Sequence, residues 1–231
     1  LIDYLDKVGG QCAELYPEKP IFDIPAVPSC TGQELIDRLM EQAAPFDPVY
    51  HLNQQAETLT RLENGHWRLV TSAGTTFETP NIVIAAGAGS FVPRRIPLPG
   101  AEGFEGRSLH YAVRRMDDFK GKHLLVAGGG DSALDWLLNL EPIAASVTLL
   151  HRRDEFRAAP DSVERMRKLV ADGKAKLLLG QIAGLDGQDG KLEHVRIKTP
   201  DGEVDLACDT VLAFFGLKME LGPIAQWGLN L

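Results

Sequence analysis

The stretch HLLVAGGGDSALD, residues 123–135, decides how the rest of the chain is read. Five residues with a strand pattern run into three consecutive glycines, and behind them a helical pattern opens on Asp131 and Ser132. Gly128-Gly129-Gly130-Asp131-Ser132-Ala133 fits the spacing G-x-G-x-x-A. In that spacing Gly128 makes the tight turn, Gly130 lets the backbone approach a pyrophosphate, and Ala133 allows close helix packing. The phosphates are then expected at the helix N-terminus, beside Asp131 and Ser132. A plain tight strand-to-helix turn is the alternative.

One strand-helix further on, the second strand ends in His151-Arg152-Arg153, with Arg157 one turn beyond. A site for NAD places a carboxylate about 20 residues after the glycines, to bind the ribose hydroxyls. Guanidinium groups at that strand end instead match a 2′-phosphate, which they hold by paired charge-assisted bonds and which a carboxylate would repel. His151, Arg152, Arg153 and Arg157 therefore point to NADP(H). The alternative for the arginines is a solvated helix-entry face.

Outward from the glycines, SVTLLHRR reads as a strand, SVERMRKLVADG as a helix and AKLLLG as a strand. With residues 123–144 this makes a βαβαβ unit, and a parallel sheet covered by helices is expected. Residues 181–206 read as a small β-meander, and DTVLAFFG as a buried strand. Upstream, TGQELIDRLMEQ predicts a helix over about 32–43, with Thr31 as N-cap, Glu34 as capping-box partner, and Leu35, Ile36 and Leu39 on one face. ETLTRLE and WRLVTSAG predict a hairpin around Asn64-Gly65. GGQCAELYPEKPIFDIPAVPSC reads as a loop, and FETPNIVIAAGAGSF as a buried strand, IVIAA, entering a glycine turn. Residues 93–106 carry three prolines and three glycines and read as a linker. Leu1–Asp3 reads as the tail of an apolar strand ending in a carboxylate, so the chain is expected to begin within a fold. Asp3 is either an exposed strand-end acid or the ribose ligand of a second dinucleotide.

Composition narrows the function. The 231 residues carry a net charge of −8, with 44% hydrophobic and 24% charged residues, an ordinary globular balance. That charge repels nucleic acid and anionic membrane surfaces, so neither is expected as a partner. No apolar run approaches the roughly 18–20 residues of a spanning helix, and the N-terminus has no secretory pattern, which makes the cytoplasm the expected location. Cys12, Cys30 and Cys208 form no Cys-x-x-Cys pair, so no metal site and no redox dithiol are expected.

GGQCAELYPEKPIFDIP, IVIAAGAGSF, GGGDSALDW and HRRDEFRAAP, in this order along the whole chain, resemble the thioredoxin-reductase-like branch of ferredoxin–NADP reductases. The resemblance implies an α/β fold of two Rossmann-like three-layer domains, an FAD domain split by an inserted NADP domain. Residues 1–99 and 217–231 would be the FAD-binding domain, and 100–216 the NADP-binding domain. It implies that Asp3 binds the adenosine ribose of FAD, Gln11 hydrogen-bonds the flavin, Tyr16 stacks on the isoalloxazine, Ala56 lines the adenine side, and Phe91 packs against the cofactor. The chain departs from the family in carrying neither the N-terminal glycine fingerprint nor the late Gly-Asp segment of the complete flavin domain, and from thioredoxin reductases proper in lacking their Cys-x-x-Cys.

The activity implied is transfer of electrons from NADPH through FAD to ferredoxin or flavodoxin, in a homodimer. Gly100, Gly103 and Gly216 would serve as hinges near 99–104 and 216–218. Arg94, Arg95, Arg107, Arg114 and Arg115 are candidates for docking an acidic partner. Two other readings remain: a flavoprotein reductase of quinone or free flavin, and a catalytically silent NADP-binding module.

Overall fold

The computed structural model describes residues 1–87 and 89–230, and the backbone alone at Met219. Two compact units form, Leu1–Val92 with Lys218–Leu231, and Pro93–Leu217.

The first unit opens with α1 (Gly10–Leu15), a two-residue strand pair of β1 (Pro20–Ile21) and β2 (Cys30–Thr31), and α2 (Gly32–Ala43). The capping box at α2 is closed in both directions. Glu34 N donates to Thr31 Oγ1 at 3.1 Å, and Thr31 N donates to Glu34 Oε2 at 2.8 Å, satisfying two N–H groups that a helix start leaves without partners. Gly32 is buried because a Cβ there would stand 2.6 Å from Tyr16 O and 3.0 Å from Cys12 O. Leu35 and Ile36 lie partly buried, whereas Leu39 is 50% exposed, so the helix buries a narrower face than its sequence suggests. An antiparallel meander follows, of β3 (Ala56–Arg61), β4 (Trp67–Thr71) and β5 (Thr76–Thr79), with the Asn64-Gly65 turn between the first two.

Two sequence expectations fail here. The GGQCAEL segment is a helix, α1, and not part of a loop: Gly9, at φ 118, turns the chain into it where no side chain supplies a cap. Residues 82–86, IVIAA, form no strand, and Val83 and Ile84 are 90% and 43% exposed. An extended segment becomes a strand only when another edge takes its N–H and C=O groups, and no such edge meets these residues among those described. Ala88 of that run, and Leu231, lie outside the described residues.

After β6 (Ser90–Pro93) the second unit begins. Ile96 and Ala101 of the proline-rich stretch are buried in its core, and Arg94 N donates to Gly216 O at 3.0 Å. Its strands and helices are β7 (Leu109–His110), β8 (His123–Ala127), α3 (Asp131–Leu140), β9 (Ser146–His151), α4 (Pro160–Ala171), β10 (Ala175–Leu179), a meander of β11 (Gln181–Gln188), β12 (Lys191–Thr199) and β13 (Gly202–Ala207), and β14 (Thr210–Ala213). β15 (Leu217–Glu220) returns to the first unit and pairs with β6.

The sheet of the second unit is parallel, in the order β10-β9-β8-β14-β7. Successive strand residues point to opposite faces. Leu125, Ala127, Leu150, Leu109, Val211 and Ala213 pack against Leu192, Val195 and Ile197 of the meander. The other parity, Leu124, Val126, Val147 and Leu149, is equally buried on the side where α3 packs over β8 and β9. α3 meets it with Ala133, Leu134, Trp136, Leu137 and Leu140. Each fully buried leucine contributes roughly 1.5–3 kcal/mol, so this three-layer core holds β8 and α3 rigidly at either end of the glycine turn.

Candidate functional site

β8 runs between β9 and β14 and ends at the glycines. Gly128 N donates to Leu150 O at 3.0 Å, and Phe214 N to Ala127 O at 2.7 Å. Gly128 sits at φ +151, and a Cβ there would stand 2.6 Å from Phe214 O and 2.9 Å from the Ala133 Cβ. Both conformation and space demand glycine. A Cβ on Gly129 would run into the His151 ring, whereas a Cβ on Gly130 would meet nothing within 4 Å. Gly130 thus leaves open ground in front of α3, where the N–H groups of Asp131 and Ser132 have no carbonyl behind them in the helix.

The segment after β9 folds back onto this turn. Arg157 N donates to Gly129 O at 2.7 Å, and Gly130 and Arg157 form a parallel bridge. Ala159 N donates to Asp131 Oδ1 at 2.8 Å. The His151 Nε2–H donates to Glu155 O at 3.1 Å, and its ring lies 5.3 Å from that of Phe156. Burial holds the His151 pKa below 6.5, with the Arg152 and Arg153 charges acting the same way against the Glu155 carbonyl; the ring is therefore neutral at pH 7.

Arg152, Arg153 and Arg157 are exposed. Arg153 makes a loose 3.7 Å pair with Glu155, and neither Arg152 nor Arg157 engages a carboxylate among the described residues. The structure thus gathers Gly128, Gly130, Asp131, Ser132, Ala133, His151, Arg152, Arg153 and Arg157 into one place. It gives Asp131 a backbone N–H of this loop as partner, and it shows that Glu155 and Phe156, which the sequence reading passes over, hold His151.

In the first unit, Asp3 N donates to His51 O and Gln54 N to Asp3 O, both at 3.0 Å, while Asp3 Oδ1 accepts from Leu5 N at 3.0 Å. Ala56 stands two residues on from Gln54, opposite Thr71, whose Oγ1 donates to Gln54 Oε1 at 2.8 Å. Asp3 and Ala56 are thereby joined through Gln54. Gln11 lies on α1 and Tyr16 at its C-terminal end. Phe91 sits partly buried on β6.

The Cys12 thiol donates to Tyr16 Oη at 3.7 Å, and Lys19 Nζ lies 5.8 Å from the ring centroid. Burial, and then Cys12, pushes the Tyr16 phenol up from 10.0 to about 12. The folded pKa is raised, so the stability tied to this group is complete below pH 10 and is lost as pH rises towards 12. Phenolate absorbance near 295 nm, followed against pH, should show a phenol of the folded protein titrating near pH 12, and Tyr16→Phe should remove that step. A Tyr16→Phe difference centred near pH 10 would refute the burial argument.

Of the candidate docking arginines, Arg95 pairs with Glu105 at 3.2 Å, Arg115 with Asp118 at 3.9 Å, and Arg107 Nη1 donates to Asp189 O at 2.8 Å. All five, Arg94 and Arg114 included, are exposed. Cys12, Cys30 and Cys208 are free, and burial pushes the Cys208 thiol up to about 12, away from thiolate chemistry. Among the described residues no His, Cys, Asp and Glu group is arranged to hold a metal ion, and no helix is long and apolar enough to cross a membrane.

The family described as Pyridine nucleotide-disulphide oxidoreductase matches residues 15–231. The chain belongs to the pyridine nucleotide-disulphide oxidoreductase family. Relatives of this oxidoreductase named ferredoxin--NADP reductase, from Parvibaculum lavamentivorans and Bradyrhizobium diazoefficiens, are each 59% identical to it across 100% of its length and 68% of theirs. Among solved structures, the Lactococcus lactis thioredoxin reductase in its FR conformation gives a TM-score of 0.80 at 24% identity, over 95% of this chain and 70% of that one. The T. acidophilum thioredoxin reductase gives 0.81 at 18% identity, over 100% and 72%. The oxidoreductase therefore has the thioredoxin-reductase-like α/β fold, with Rossmann-like layers, while its own sequence holds no Cys-x-x-Cys.

Proposed function

We propose that this chain is an FAD-dependent reductase that takes electrons from NADPH and delivers them to ferredoxin or flavodoxin. One observation carries the reading: the glycine turn and the arginine-bearing loop share a backbone bridge, Arg157 N to Gly129 O at 2.7 Å, so a phosphate cradle and a 2′-phosphate cradle stand side by side. The 59% identical relatives named ferredoxin--NADP reductase support the acceptor.

In this reading the second unit is the NADP-binding domain and the first the FAD-binding domain. The N–H groups at Gly130–Ser132 receive the pyrophosphate, Gly128 and Ala133 hold the turn tight, and Arg152, Arg153 and Arg157, with His151 beneath them, take the 2′-phosphate. The residues fit that nucleotide, since Gly130 is open and, among the described residues, Arg152 and Arg157 engage no carboxylate. On the flavin side the joined pair of Asp3 and Ala56 would hold the adenosine, and Gln11, Tyr16 and Phe91 the ring end. Bound FAD supplies the exchange of a two-electron hydride for single electrons, which suits a chain without a dithiol. The exposed Arg94, Arg95, Arg107, Arg114 and Arg115 favour an acidic carrier over a neutral one. The enzyme would act as a cytoplasmic homodimer.

Visible absorbance of the purified protein supplemented with FAD, followed by anaerobic titration with NADPH and NADH, tests this. A flavin band that NADPH bleaches at far lower concentration than NADH, and that reduced-protein mixing with oxidised ferredoxin restores, is the expected result. No flavin band, or equal bleaching by both nucleotides, would overturn it.

A further inference from the structure

We infer that Asp131 is a positioning residue for nucleotide choice: its carboxylate latches the loop of residues 152–159 onto the glycine turn and so sets where the arginines stand. The inference rests on the nucleotide site proposed above, and it reassigns one residue of that site. A carboxylate at the first position of α3 is the wrong charge for a group meant to touch a pyrophosphate. Its partner explains its presence, for Oδ1 accepts from Ala159 N at 2.8 Å.

Ala159 is the residue that leads into α4, and it has no capping side chain of its own; Pro160 follows it without an N–H. Asp131 supplies from the neighbouring helix the acceptor this helix start lacks. Elsewhere the loop is held by Arg157 N on Gly129 O, by His151 Nε2 on Glu155 O and, from α4 rather than from the cradle, by Arg167 Nη2 on Asp154 Oδ1 at 2.9 Å. The first is backbone alone, and the second arises from the end of β9 itself. Asp131 is thus the side chain through which the phosphate cradle grips the far end of the loop. Without it the segment between Arg157 and α4 loses its side-chain tie to the glycine turn, while the cradle, made of backbone N–H groups, remains. The two nucleotides should feel this differently: recognition of a 2′-phosphate weakens and the rest of the molecule binds as before.

Calorimetric titration of the full chain with adenosine 2′,5′-bisphosphate and with 5′-AMP reads the loop without any flavin chemistry. The unaltered protein should bind the bisphosphate about a hundredfold more tightly than 5′-AMP. Asp131→Ala should cut that ratio about tenfold or more, the loss of one hydrogen bond to a charged group. Asp131→Asn keeps a carbonyl oxygen for Ala159 N and removes the charge, so the ratio should survive while both ligands bind as well or better. Ala159→Pro breaks the same bond from the other side; φ −54 suits proline, and Asp131 stays intact. It should reproduce the Asp131→Ala ratio, and it serves if Asp131→Ala does not fold, which circular dichroism would show. A wild-type ratio in either Asp131→Ala or Ala159→Pro, or a ratio lost in Asp131→Asn, overturns the latch and leaves the nucleotide site standing. An unaltered protein that does not distinguish the two ligands overturns the site, and the latch with it.

Discussion

Replacing Arg152 and Arg153 together by alanine should weaken NADP+ binding by about two orders of magnitude and leave NAD+ binding within about threefold of its starting value. Each charge-assisted bond from a guanidinium to a phosphate is worth about 1.5–3 kcal/mol, and exposed groups fall at the low end. Two such bonds give about 3 kcal/mol, or roughly a hundredfold. Stability should scarcely change, because the one ion pair lost among the described residues is the exposed 3.7 Å contact of Arg153 with Glu155, and such pairs contribute about 0–1 kcal/mol. Dissociation constants for the two nucleotides, measured side by side, decide the matter. Equal losses for NADP+ and NAD+ would mean that the arginines serve the pyrophosphate or the loop, and the 2′-phosphate assignment would fall.

Gly128→Ala should destabilise the second unit strongly. The new Cβ would stand 2.6 Å from the Phe214 carbonyl oxygen, which is backbone and cannot swing aside, and φ +151 is itself strained for any residue with a Cβ. Overpacking costs about 1–3 kcal/mol and such backbone strain about 1–3 more, so a loss near 3 kcal/mol and a fall in Tm of about 10 °C are expected. Gly130→Ala makes the opposite case. Its Cβ meets no atom within 4 Å and its φ of −103 is ordinary, so Tm should hold while nucleotide binding weakens about tenfold as the methyl enters the cradle. Thermal melts paired with nucleotide titrations separate the two. A stable Gly130→Ala that binds NADP+ normally would show that no phosphate approaches this turn.

Much of this architecture is legible because it is local. Thr31 and Glu34 lie three residues apart and announce α2, and the three glycines between a strand and a helical pattern announce the turn that positions the nucleotide site. What the sequence conceals is long-range. Asp131 and Ala159 are 28 positions apart, and no pattern in either neighbourhood tells a phosphate-facing acid from one bonded to a helix entrance. Likewise IVIAA has the composition of a buried strand, yet composition describes only one half of a pairing, and these residues meet no second edge among the described residues. α1 is hidden in the sequence because a six-residue helix with Gly9 as its cap and Gly10 as its first residue has too few turns to show a period. The residues proposed for the flavin side are the least connected: Asp3 and Ala56 are linked through Gln54, but Gln11, Tyr16 and Phe91 are assigned there by resemblance alone.

The hydrogen bond from Arg94 N to Gly216 O has a bearing on how the chain reaches this form. β6 precedes Pro93–Leu217 and β15 follows it, so their pairing must bring together two strands separated by that whole segment. For an unfolded segment this is a long loop with the closure entropy that its length exacts. Once the second unit has folded, Arg94 and Gly216 already lie side by side, 3.0 Å apart, and the two strands emerge from neighbouring points with their meeting largely arranged. The contiguous unit is therefore expected to form first during folding, and to act as the template on which the discontinuous one is completed.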